Sequence, residues 1–117
     1  MAEDVRDKRF RLNAGRIHEL ARGRGGCIAS DRITVDGEPV GYMYRDVPHN
    51  DLDSGWRFLA GDESTEYMAD SGKHGVYDVN TIANYDPSII PFLDAPQGSA
   101  FVRDPEIAAF RPCELED

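Results

Sequence analysis

The sequence predicts an α+β domain that combines a small mixed or antiparallel sheet with an N-terminal helix and several short helices. Its 117 residues are typical of one domain with its own core. Short β-rich runs alternate with glycine and proline turn signals, and no repeat or heptad occurs. Two Asp-Pro pairs, Asp86-Pro87 and Asp104-Pro105, are typical starts of short helices.

The N-terminal helix is predicted over residues 10–22, where apolar residues recur at the spacing of a helix that buries one stripe. These residues are Phe10, Ala14, Ile17 and Ala21. The glycines of residues 23–26 end it. A β-hairpin is predicted next, because the β-rich residues 26–35 and 40–45 flank Asp36-Gly37, a hairpin turn signal.

The second half predicts further short elements. Residues 56–60 form a strand after a polar loop, and Asp62 caps a short helix that ends near residue 70. Residues 75–79 form another strand, and Phe101-Val102 belongs to the final one. The pattern does not determine the order of the strands.

Charge is distributed unevenly along the chain, whose net charge is −9. Residues 1–45 carry 9 basic and 7 acidic side chains, whereas residues 46–117 carry 4 and 15. A negative field of this kind repels nucleic acid and anionic membranes, and it favours a basic protein partner or simply keeps the protein soluble.

The cysteines and the N-terminus predict a cytoplasmic protein without a cofactor. Cys27 and Cys113 form no CxxC pair and have no histidine at ligand spacing, which argues against zinc. The charged start leads into no apolar stretch long enough for a signal peptide or a membrane span.

Residues 53–63 hold the only tryptophan, Trp56, within a run of acids and glycines. Tryptophan is enriched at recognition hot spots, but a single aromatic residue on a short strand also commonly lies in the core. Both interpretations remain open. A calcium loop that starts at Asp51 fails, because its sixth position, which requires glycine, is Trp56.

An ordered set of fragments resembles one known family. Its core comprises Gly41-Tyr42-Met43-Tyr44-Arg45, Asp53-Ser54-Gly55-Trp56-Arg57-Phe58, Gly61-Asp62-Glu63 and Asn80-Thr81-Ile82-Ala83-Asn84-Tyr85-Asp86-Pro87. Together these resemble the thirty-third immunity-protein family of bacterial polymorphic toxin systems. The resemblance implies a small α+β protein that binds and blocks a toxin domain, and it supplies no catalytic residues.

The resemblance divides the chain into an N-terminal helical segment (1–25), an immunity-protein-like core (26–103) and a tail (104–117) that packs on or extends the same domain. The leading hypothesis is a non-enzymatic protein whose acidic surface meets a basic toxin domain. Its predicted binding residues are Asp51, Asp53, Trp56, Asp62, Glu63, Glu66 and Tyr67.

Two alternatives remain. The first is a small hydrolase or ligand-binding enzyme that uses the polar loop of residues 48–55, with Ser54 or His49 assisted by Asp53 or Asp78. The second is an accessory module that associates with itself. The oligomeric state is not predicted.

Overall fold

The computed structural model describes residues 9–12 and 14–114. The strands in this part of the chain are β1 (Gly26–Ser30), β2 (Tyr42–Arg45), β3 (Asp53–Leu59), β4 (His74–Asp78), β5 (Ala100–Asp104) and β6 (Ala109–Cys113). They form one six-stranded sheet in the order β4-β1-β3-β2-β5-β6. β1 and β3 are parallel, and the other neighbours are antiparallel. The predicted α+β class with a mixed sheet is therefore confirmed.

Short helices connect the strands. The α-helices are α1 (Asp31–Thr34), α2 (Thr65–Ala69) and α3 (Val79–Tyr85), and the 3-10 helices are Ala14–Arg16, Ser71–Lys73 and Pro87–Phe92. α1, α3 and the helix Pro87–Phe92 bury their apolar side chains against one face of the sheet. We call this the covered face, and its largest buried side chains include Trp56, Phe58, Met43, Ile33, Ile82 and Ile89.

The opposite face of the sheet carries no comparable helical layer among the described residues. Successive side chains of a strand alternate between the two faces, and cross-strand partners share a face. The register places Ile28 beside Arg57, Arg57 beside Tyr44 and Ile28 beside Val76. We call this the open face, which consists of Ile28, Tyr42, Tyr44, Arg57, Leu59, Val76 and Val102.

The predicted N-terminal helix is not present among the described residues. Between residues 10 and 22, the described residues contain only the 3-10 turn Ala14–Arg16. Side chains of α3 bind the backbone N–H groups that a helix would use: Asn84 Oδ1 accepts from His18 N at 2.8 Å, and Asn80 Oδ1 accepts from Leu20 N at 2.7 Å. These tertiary hydrogen bonds outweigh the weak helical preference of a short segment.

The predicted hairpin is also wrong, since β1 and β2 do not pair. Residues 31–34 form α1 instead, with Ile33 and Thr34 fully buried. Gly37 has a φ of 82° and donates its N–H to Ile33 O, so Asp36-Gly37 follows a helix rather than joining two strands. The chain does turn at this position, but the turn follows α1 and does not connect β1 to β2.

Two of the predicted helix starts differ from the structure. Ser64, not Asp62, caps α2, because its side chain accepts a hydrogen bond from Tyr67 N. Asp86-Pro87 begins a 3-10 helix as expected, whereas Asp104-Pro105 begins the tight turn between β5 and β6. Phe101-Val102 is in a strand, but β6 follows it.

Candidate protein-binding site on the open face

A bulge in β3 shapes the centre of the open face. The β1–β3 register shifts between Gly26, which faces Asp53, and Ile28, which faces Arg57. In a straight strand, residues four positions apart are separated by about 13 Å. Here the side chains of Asp53 and Arg57 meet in two hydrogen bonds of 2.9 and 2.8 Å. The bulge therefore brings together an ion pair that a regular strand would keep apart.

Gly55 makes this bulge possible. Its φ of 90° lies in the region that side chains other than glycine rarely adopt, and an added Cβ would collide with Asp46 O. Ser54 supports the same turn: its hydroxyl donates to Gly26 O at 2.6 Å and accepts from Trp56 N at 3.1 Å. The motif Asp53-Ser54-Gly55-Trp56-Arg57 is thus a structural unit.

The Asp53–Arg57 pair is largely withdrawn from water. The Arg57 side chain is 6% exposed and that of Asp53 is 11% exposed. The Arg57 guanidinium holds the pKa of Asp53 well below its usual range, against the opposing effect of burial, with help from the N–H groups of His49 and Gly55. Both groups therefore stay charged at neutral pH.

Apolar side chains surround this pair and remain exposed. Val76 is 78% exposed, Leu52 at the end of the face is 81% exposed, and Met68 of α2 is 41% exposed. A cavity of about 460 Å³ lies over Arg57 and is bordered by Ile28, Tyr44, Met68 and Val76. A second cavity of about 230 Å³ shares Ile28 and Val76 and reaches Leu52 and Asp53. Contiguous exposed apolar surface of this kind marks binding sites.

Trp56 is not part of this surface. It is 1% exposed on the covered face, its ring stacks on Phe58 at 6.0 Å, and its Nε1 donates to Leu93 O at 3.2 Å. A partner could not contact it without opening the core. Of the two interpretations of this tryptophan, the core position is the one observed.

Asp62 and Glu63 lie at the end of β3 and are engaged within the chain. Arg32 binds Asp62 through two hydrogen bonds of 3.1 and 2.7 Å and lowers its pKa. Burial raises the pKa of Glu63, but hydrogen bonds from Ser30 Oγ, Ala60 N and Gly61 N outweigh it and lower the pKa below its usual value. Glu63 therefore joins the ends of β1 and β3.

Asp51, Glu66 and Tyr67 complete the predicted site. Asp51 and Glu66 are exposed at opposite ends of β3, one in the preceding loop and the other in α2. Burial, followed by the carboxylates of Asp31, Asp36 and Glu63, raises the pKa of Tyr67 to about 12. Five of the seven predicted residues thus lie at the ends of the open face, Asp53 lies near its centre and Trp56 lies on the covered face, whereas the exposed apolar side chains of the centre were not predicted.

The polar loop considered as an enzyme site is used structurally. Ser54, one of the two residues that the enzyme alternative would use, is 8% exposed, and its hydroxyl donates a hydrogen bond to Gly26 O. The His49 N–H donates to Asp53 Oδ2 at 2.7 Å, so this aspartate holds the loop and Arg57 together. A nucleophile requires a base at its proton, and here a carbonyl occupies that place.

Comparison with known protein families identifies one family that matches this chain. Residues 27–113, most of the 117-residue chain, match the immunity protein Imm33 domain. The chain belongs to this family. The resemblance recognised in the sequence is therefore confirmed, although no curated protein and no solved structure matches the chain.

The Imm33 region contains the whole open face, both cavities apart from Gly26, and every predicted binding residue. The segment that α3 binds through Asn80 and Asn84 precedes it. Within residues 9–12 and 14–114, every helix is too short or too polar to cross a bilayer.

Proposed function

We propose that this Imm33 protein binds a toxin domain through its open face and neutralises it without chemistry of its own. Membership of an immunity protein family supports the toxin as partner. The observation that carries the choice of surface is the exposure of Val76, Leu52 and Met68 beside two cavities, while the other face of the same sheet is buried. An exposed apolar centre with a polar rim is typical of a protein interface.

The charges around this face favour a basic partner. Asp46 and Asp51 lie at one end of the face, and Asp62, Glu63 and Glu66 lie at the other. Exposed Asp51 and Glu66 would steer association, since rim charges act mainly on the rate of encounter. The same acidic rim disfavours nucleic acid and anionic membranes as ligands.

The remaining predicted residues support the interface rather than form its centre. Asp53 orients Arg57, Glu63 holds the end of β3, and Trp56 anchors that strand from beneath. Tyr67 lies near the rim, with Lys73 Nζ 6.0 Å from its ring centroid. We place the interaction in the cytoplasm, as the cysteine pattern predicts.

The absence of catalysis is part of the proposal. The Ser54 hydroxyl and the Asp53 carboxylate, two of the groups that could perform chemistry in the loop of residues 48–55, make hydrogen bonds that hold the bulge. An immunity protein of this kind inhibits by occupying its partner's surface. Neutralisation should therefore require one molecule of this protein for each toxin molecule.

The test is capture of a partner from the lysate of the source bacterium with the tagged protein. A captured protein supports the proposal only if it stops growth when expressed alone and is neutralised by co-expression of this chain. Complex formation should weaken when salt is raised from about 0.15 M to about 0.5 M, because salt screens the acidic rim.

Two lysine variants locate the surface. Val76→Lys adds a cation to the open face, whereas Ile107→Lys adds one to the turn between β5 and β6, where Ile107 is 59% exposed. We expect the first to lose capture and rescue and the second to retain both. Equal binding by both variants would exclude the open face, and the lack of any toxic partner would exclude the immunity role.

A further inference from the structure

Arg57 has hydrogen-bond donors that the described residues do not use. Its Nη1 donates to Asp53 Oδ1 and Trp56 O, and its Nη2 donates to Asp53 Oδ2. A guanidinium has five N–H donors in a fixed plane. The Nε–H and the second Nη2–H, which lie on the same edge of that plane, therefore have no acceptor among the described residues.

Other arginines in this protein use the same nitrogen. Nε donates to Val40 O in Arg103, to Ser54 O in Arg45 and to Asp62 Oδ1 in Arg32. The side chain of Arg57 is 6% exposed, whereas that of Arg103 is 25% exposed. Arg57 thus has, beside the 460 Å³ cavity, a pair of donors that the described residues leave unused.

The position of Arg57 shows where an acceptor could enter. Asp53 and the Trp56 carbonyl take the other donors, and Arg57 borders the 460 Å³ cavity of the open face. We propose that the Nε–H and Nη2–H of Arg57 form a donor fork that binds an amide carbonyl of the partner protein. This inference rests on the proposed function, because it assigns the open face a specific contact with the toxin.

Charge favours a neutral carbonyl over a carboxylate. Asp53 already compensates the Arg57 cation, and Asp46 borders the same cavity. A second carboxylate at the fork would be repelled by both, whereas an amide oxygen accepts two hydrogen bonds without adding charge. Ile28, Met68 and Val76 would contact the apolar atoms next to that amide.

Small probes test the fork without a toxin. In ¹⁵N-labelled protein, the Nε–H signal of Arg57, identified by its loss in Arg57→Lys, should shift saturably with benzamide and less with benzoate. No shift with benzamide, or an equal or larger shift with benzoate, would overturn the proposal.

The toxin complex provides the second test. Arg57→Lys keeps a cation beside Asp53 but lacks the planar fork, so we expect about tenfold weaker binding or more, measured on protein that circular dichroism shows to be folded. Arg103→Lys, the matched control, removes an Nε hydrogen bond away from the open face and should leave the affinity within about twofold. Wild-type affinity in Arg57→Lys would refute the contact.

The two proposals can fail separately. A benzamide-dependent shift in a protein that has no toxic partner would remove the immunity role and retain the fork. A neutralising complex in which the Arg57 Nε–H signal does not move would retain the role and remove the fork. If Arg57→Lys does not fold, triple-resonance assignment of the Arg57 Nε–H in the wild-type protein identifies the signal, and the benzamide and benzoate titrations still decide.

Discussion

Trp56 and Arg57 are consecutive residues of β3, and both are almost fully covered, but they face opposite sides of the sheet. Trp56 lies under helices within an apolar cluster. Arg57 is covered by strand neighbours and held by one carboxylate, with exposed apolar side chains around it. One face of this sheet therefore forms the core, and the other is the face that we propose for binding.

The largest expected effect is on the covered face. Trp56→Ala should lower the free energy of unfolding by about 4 kcal/mol, because it leaves a cavity and removes the stacking on Phe58. Chemical denaturation monitored by circular dichroism measures this loss. Trp56→Phe, which keeps an aromatic ring, should lose clearly less. A loss below about 1 kcal/mol for the alanine variant would contradict the core position.

The ion pair of the open face should give the next largest effect. Asp53→Asn leaves the Arg57 cation without its counter-ion, and we expect a loss of about 3 kcal/mol in the free energy of unfolding. Asp51→Asn, two residues earlier and exposed, should change it by less than about 0.5 kcal/mol. Similar values for the two variants would mean that the bulge does not depend on the pair.

The same pair predicts an acid-dependent loss of stability. The folded-state pKa of Asp53 is below its unfolded value, so its contribution is complete above the unfolded pKa and is lost as the pH falls. The loss of stability should begin at about pH 4, the usual aspartate pKa, and continue toward the lower folded-state pKa. Denaturation curves between neutral and acidic pH should show a shallower decline in Asp53→Asn than in wild type.

The sequence predicts the elements that depend on local patterns and misses those that depend on contacts between distant residues. The β-rich runs at residues 26–30 and 56–60 predict β1 and β3, and Asp86-Pro87 predicts a helix start, because alternation and capping are local properties. The parallel pairing of β1 with β3 joins residues far apart in the chain, which no local pattern specifies. The N-terminal helix failed for the same reason, since Asn80 and Asn84 hold that segment from a distance.

The candidate site was predicted at its edges and missed at its centre. Acids such as Asp51 and Glu66 stand out in a sequence, whereas the exposed Val76 resembles any strand residue. The Asp53–Arg57 pair was missed because two residues four positions apart in a regular strand are too far from each other to form an ion pair. The available signal was Ser54-Gly55 inside a strand, since glycine there often marks a bulge.

A smaller difference in stability is expected between variants of Glu63, which is hydrogen-bonded within the chain, and of Glu66, which is exposed. Glu63→Gln should lower the free energy of unfolding by about 1 kcal/mol, because the charged acceptor of Ser30, Ala60 and Gly61 is lost. Glu66→Gln, on exposed α2, should leave stability unchanged and slow association with the toxin. Thermal unfolding and stopped-flow mixing measure the two quantities. A destabilised Glu66→Gln would show that α2 also needs its charge.

The smallest effect on stability is expected for an exposed side chain of the open face. Val76 and Val79 allow a direct comparison of the two faces. Val79 at the start of α3 is 0% exposed, whereas Val76, three residues earlier on the open face, is 78% exposed. Truncation of each to alanine removes the same atoms. Val79→Ala should cost about 2 kcal/mol of unfolding free energy, and Val76→Ala at most about 0.5 kcal/mol, because only Val79 is withdrawn from water on folding.

Toxin affinity should respond in the opposite order, since only Val76 can transfer apolar surface from water to a partner. Isothermal titration of the two folded variants with the toxin would measure this. Equal affinities would place the interface elsewhere on the protein. A destabilised Val76→Ala would instead mean that something within this chain already covers the open face, because a side chain can contribute to folding only where folding removes it from water.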